Sequence, residues 1–226
     1  MPNTEHYFQF FGEISLMGYW NNPELLRDPT RESTNRTGRI GAQRLIDVIA
    51  ATHHRLHQSG LKEVRLGTPG VTNALQWSNW RTWQSWWEPM VEQLGDKISF
   101  YGLHWYDMTP DMLHVEAGII QNAQQIRWGN RKPICVQESD YTQGPMDDPL
   151  NGPYNAYYLW TLLDMPDKVL VNTNHLRDNG GEFFHNMFRA DRRLPKYWAY
   201  WIMRDLRGTM VTTHMRDSLT GDAPLV

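Results

Sequence analysis

Apolar and polar positions along this chain switch repeatedly between a period near two and a period near 3.6. Tyr7 to Ile14 (YFQFFGEI) is aromatic and strand-prone; after a polar loop rich in Asn, Pro, Arg and Thr, Leu45, Ile46, Ile49 and Leu56 fall at helical spacing within residues 40–58. A second strand, EVRLGTPG (63–70), precedes a helix over 79–94 that sets Trp80, Trp83, Trp87, Met90, Val91 and Leu94 on one face. ISFYGLHWYD (98–107) is the third strand, and a helix over 113–128 leads to the fourth, PICVQESD (133–140). A helix over 153–164, a fifth strand KVLVNTNHL (168–176) and the helix YWAYWIMRDLRG (197–208) complete the series.

Strands that alternate with helices of ten or more residues predict βα units and a parallel sheet. A complete (β/α)8 barrel takes about 250 residues, so 226 residues with long loops hold five units and not eight. The expected class is therefore α/β: a partial (β/α)8 TIM barrel of about five parallel βα units over residues 1–208, its N-terminal units absent. Residues 209–226 resemble the start of a truncated further domain or a tail. An open barrel of this kind would expose a strand edge and permit self-association.

Composition narrows the functional classes. With 22 Lys+Arg against 25 Asp+Glu and no basic stripe, nucleic acid is not an expected partner. Apolar runs last only a few residues, too short to cross a membrane, and the start MPNTEHYF has neither the basic nor the hydrophobic part of a signal peptide. Cys135 is the only cysteine, which excludes an internal disulfide. Eleven Trp and ten Tyr exceed ordinary usage; most belong in a core, but flat rings also serve as platforms for sugars.

The strands share a polar C-terminal end. They finish on Gly12-Glu13, Thr68-Pro69-Gly70, His104-Trp105-Tyr106-Asp107, Gln137-Glu138-Ser139-Asp140 and Asn172-Thr173-Asn174-His175. In barrels that edge carries the chemistry, because the βα loops converge there. Glu13 and Glu138, ending the first and fourth strands, provide the two carboxyl groups that glycoside hydrolysis needs, one to protonate the leaving oxygen and one to attack the anomeric carbon. Other features point elsewhere. His53, His54 and His57 lie on a helix with no acidic third ligand nearby, so no metal is expected. Ser139 lacks a G-x-S-x-G elbow. GTPG (67–70) reads as a turn, and Asp107 and Asp140 read as turn residues.

A Glu ending one strand, the HWYD cluster two strands later and PICVQESD on the next resemble strands four, six and seven of the clan A retaining glycoside hydrolases. The likeness covers roughly residues 5–208 and, with YWAYWIMRDLRG, is most similar to the agarase and porphyranase family, glycoside hydrolase family 86. It implies that Glu138 is the nucleophile, Glu13 the acid/base, and His104 and Tyr106 the groups that hold the nucleophile. It further implies a polysaccharide or oligosaccharide substrate such as agarose or porphyran, no cofactor, and a secreted or periplasmic setting. Trp20, Asn73, Trp77, Asn174 and His175 are the further candidates for sugar contact. Two departures stand out. Gly12 occupies the place where the clan usually has Asn, and YWNNPEL (19–25) resembles the clan's W-N-E-P signature with Asn22 where the Glu belongs. Glu13 is the better acid/base candidate, because YFQFFGE is the better strand. The alternative is a non-catalytic carbohydrate-binding remnant of such a barrel.

Overall fold

A computed structural model describes residues 6–10, 31–72, 83–106, 109–141, 148–165, 168–172, 187–189 and 192–205. Five strands, β1 (His6–Gln9), β2 (Val64–Thr72), β3 (Phe100–Tyr106), β4 (Ile134–Asp140) and β5 (Val169–Asn172), form one sheet in chain order, every neighbouring pair parallel. Four helices stand between strands or after them: α1 (Arg31–Gln58), α2 (Glu88–Leu94), α3 (Met112–Trp128) and α4 (Asn151–Leu163). A two-residue hairpin, β6 (Phe188–Arg189) with β7 (Arg192–Arg193), then leads into α5 (Pro195–Met203). Parallel strands in sequential order with helical crossovers are the arrangement of a (β/α) barrel, of which this is a part.

The core lies between sheet and helices. β3 is buried along almost its whole length, which explains why its sequence reads as a run of large apolar residues rather than an alternation. Leu45, Ile46 and Ile49 of α1 pack against Trp86, Trp87, Met90, Val91 and Leu94, with Tyr101, Leu103 and Trp105 of β3 beneath. α1 begins at Arg31, nine residues before its apolar spacing becomes visible, because residues 31–39 are polar and present no stripe to read. The helix expected over 79–94 is instead a π-helical turn, Trp83–Trp87, followed by α2. The wider π turn buries the adjacent rings of Trp86 and Trp87 together, and Pro89 in the first turn of α2 marks where the backbone reverts to α. Trp80 lies outside the described residues.

Bulges set the register. Gly67 pairs with Phe100 but Gly70 with Gly102, so β2 carries one extra residue at Thr68-Pro69. The GTPG segment is therefore not a turn but the middle of a strand. Proline is tolerated there because the ladder is already interrupted, and the Gly102 amide donates to the Thr68 hydroxyl at 2.8 Å in place of a backbone carbonyl. A second bulge lies on β4, where Leu103 faces Val136 but His104 faces Glu138, so that Gln137 is the extra residue.

Candidate active site

The C-terminal ends of β3 and β4 bring His104, Tyr106, Gln137 and Glu138 together. In a regular strand Gln137 and Glu138 would point to opposite faces. The bulge at Gln137 lets both reach the same imidazole: His104 Nε2 lies 3.1 Å from Gln137 Oε1, and His104 Nδ1 lies 3.3 Å from Glu138 Oε2. The Tyr106 hydroxyl donates to the same Glu138 oxygen at 2.6 Å, a short charge-assisted bond. His104 is buried, whereas the Glu138 side chain is 26% exposed, so the carboxylate is held from behind and open in front. Such an arrangement can hold a carboxyl group in one rotamer while leaving it accessible.

Gly70 makes this approach possible. A Cβ there would collide with His104 Nε2 and with Gln137 Oε1. The glycine admits the imidazole against the backbone of β2. On the other side of Glu138, the end of β4 is buried and polar. Asp140 is fully buried and pairs with the equally buried Lys196 of α5 at 2.7 Å. Asp140 Oδ1 accepts the Tyr141 amide at 2.8 Å and the side-chain amide of Asn155 at 3.2 Å, and Asn155 in turn donates to the Asn151 carbonyl. Burial pushes the Tyr158 hydroxyl well above its ordinary value, with a hydrogen bond to Ser139 acting in the opposite direction. Asp140 is thus an internal ionic group and not the turn residue its position suggested.

Of the site residues expected from the sequence, the structure brings together Glu138, His104 and Tyr106. Glu13, Trp20, Asn73, Trp77, Asn174 and His175 lie outside the described residues, as do the WNNPEL segment and residues 209–226. Three contributors were not anticipated. Gln137 and Gly70 had a weak signal, an isolated glycine within a strand pattern, which marks a bulge or a close approach. Lys196 had none: its partner lies 56 residues earlier, and nothing local distinguishes it from a surface lysine.

No protein-family model and no curated protein sequence matches the chain. Solved structures share its fold. A wild-type family 86 glycoside hydrolase in complex with neoagarooctaose aligns with a TM-score of 0.61 at 15% identity, over 74% of this chain and 33% of its own. A β-porphyranase of family 86 from the human gut bacterium Bacteroides plebeius gives 0.61 at 12% identity, over 75% and 36%. A monomeric β-xylosidase from Caulobacter crescentus gives 0.55 at 13% identity, over 89% and 42%. The chain shares the fold of these glycoside hydrolase structures, and it spans about a third of the length of the family 86 ones, 33% and 36%.

Proposed function

We propose that this chain carries the catalytic end of a retaining endo-β-glycosidase that cleaves a polysaccharide, with agarose and porphyran as the first substrates to test. The observation that carries this reading is the partly open Glu138 at a strand end, held by a hydrogen bond from Tyr106 at 2.6 Å and with His104 Nδ1 3.3 Å from the same oxygen. A carboxylate needed only for solubility would not be set against two ring side chains of the neighbouring strand. The fold shared with glycoside hydrolases of family 86 supports the same class of chemistry.

In this mechanism Glu138 attacks the anomeric carbon while Glu13 gives a proton to the departing glycosidic oxygen, forming a glycosyl ester on Glu138. Glu13 then removes a proton from water, whose oxygen attacks the same carbon and releases Glu138 as carboxylate. Retention requires the two carboxyl groups to stand about 5 to 5.5 Å apart across the sugar. We assign Trp20, Asn73, Trp77, Asn174 and His175 to the sugar subsites.

A mechanism-based fluoroglycoside should label the peptide containing Glu138, as read by mass spectrometry. Glu13→Ala should lose activity on poor leaving groups and recover it on activated ones when azide is added. Label on another carboxylate overturns the assignment of the nucleophile. If no oligosaccharide is turned over but agarose or porphyran oligosaccharides still bind, the binding-remnant reading replaces it.

A further inference from the structure

A buried lysine at the start of a helix is costly twice over. Lys196 sits in the first turn of α5, where the helix dipole disfavours a cation, and its side chain is 1% exposed. Replacing a buried ion pair by apolar residues of like size is often neutral or stabilising, so stability alone is a poor reason to keep one. Its contacts suggest another reason. Nζ reaches Asp140 Oδ2 at 2.7 Å and the Ser139 carbonyl at 3.4 Å, which are the two residues directly after Glu138.

We infer that the Lys196–Asp140 pair is a positioning device for Glu138: Lys196 fixes the end of β4 through Asp140 and the Ser139 carbonyl, and neutralises the buried carboxylate two residues from the nucleophile. Without that positive charge, Asp140 would be an uncompensated charge in the interior, a far larger cost than any to the partly exposed Glu138, and the end of β4 would lose its anchor. The pair keeps the strand end that carries Glu138 in one place. Burial lowers the affinity of Lys196 for its proton, while Asp140 first and Glu138 after it act to restore that affinity, so the lysine feels both carboxylates. Among the described residues, His104 and Tyr106 from β3 contact Glu138, and Lys196 from α5, paired with Asp140 two residues further along β4, acts on it through its charge.

The inference rests on Glu138 as the reacting carboxylate, but its test need not. The carboxyl carbon resonance of Glu138, followed by NMR in protein labelled at glutamate side chains, reads its positioning whether or not the chain turns over a sugar. In Lys196→Met the resonance should move and broaden, as the strand end loses its anchor and Glu138 leaves its single setting against Tyr106. In Asp140→Asn, which keeps the shape of the side chain, it should change in the same way, because the amide cannot pair with Lys196. Where turnover is measurable, kcat should fall about ten-fold with KM little changed in both variants. A Glu138 resonance unchanged in both single variants overturns the proposal, whatever happens to the melting temperature. If Lys196→Met does not fold, Asp140→Asn alone decides. A chain inactive on every glycoside but showing the expected shifts would sink the proposed activity and leave the ion-pair inference standing.

Discussion

Two tyrosines on one strand make the same bond for different ends. Tyr101, at the N-terminal end of β3, donates to Gln124 Oε1 at 2.6 Å; Tyr106, five residues on, donates to Glu138 Oε2 at 2.6 Å. Around Tyr101 everything is neutral and satisfied. Gln124 donates to the Gly95 carbonyl at 3.0 Å and to Asn130 at 2.7 Å, Trp128 donates to the Val91 carbonyl at 2.7 Å, and burial pushes the Tyr101 hydroxyl far above its usual value. Around Tyr106 the groups are a carboxylate, an imidazole and, beyond them, a buried ammonium. The first cluster ties α3 to the turn after α2 and costs little because no charge is desolvated. The second places ionic groups at the strand ends, which stability alone is a poor reason to keep and which the proposed chemistry would use.

The comparison can be broken at either end. The largest effect should come from Glu138→Gln, which keeps the hydrogen-bonding shape but cannot form a glycosyl ester: turnover of a polysaccharide should fall by about 10⁴-fold or more, with the melting temperature little altered. Tyr106→Phe should follow, with kcat lower by about 100-fold, or roughly 2.7 kcal/mol, and stability nearly unchanged, since Glu138 is already partly solvated. At the opposite end Tyr101→Phe should do the reverse, costing about 1 to 3 kcal/mol in urea unfolding because it strips a buried amide oxygen of its donor, while kcat stays within about two-fold. A fall in kcat with Tyr101→Phe as large as that with Tyr106→Phe would erase the distinction.

The smallest effect concerns Cys135, in the buried half of β4. Burial pushes its thiol up to about 11 from an ordinary 9.0. A group neutral in the core and more acidic when unfolded contributes its full stability below pH 9 and loses it as the pH climbs toward 11. Denaturation midpoints should therefore decline over that window by more than in Cys135→Ala. At pH 8 a thiol reagent should modify the native protein only as fast as it unfolds.

How far the sequence revealed this depends on what each feature requires. The five strands and their helices were legible because each buries a face, and a face imposes a period on the chain; Leu45, Ile46 and Ile49 on α1 are the clear case. Element ends were less legible. The polar first turns of α1 carry no such imprint, and Pro153, read as close to the start of α4, is its third residue. Glu138, His104 and Tyr106 were legible because strand ends in a barrel converge, a rule about topology and not about local propensity. The hold of Lys196 on Asp140 was not, since it joins two ordinary-looking residues through tertiary packing. The bulges were barely legible for a related reason: an extra residue changes register only relative to a neighbour, and the neighbour is not in the local pattern.

Gln137, the extra residue of the β4 bulge, also bears on how this strand tolerates changes in length. Its side chain contributes a contact to His104, and Gln137→Ala should leave measurable turnover. Deleting the residue should be tolerated as well. Val136 would still face Leu103 and Glu138 would still face His104, so the ladder would close into a regular one without turning Glu138 or Asp140 to another face. A lost codon at position 139 is a different event, because Asp140 would then move to the face now held by Ser139 and away from Lys196. In a population of variants, the bulge would show itself as a position that accepts a gap where its neighbours do not.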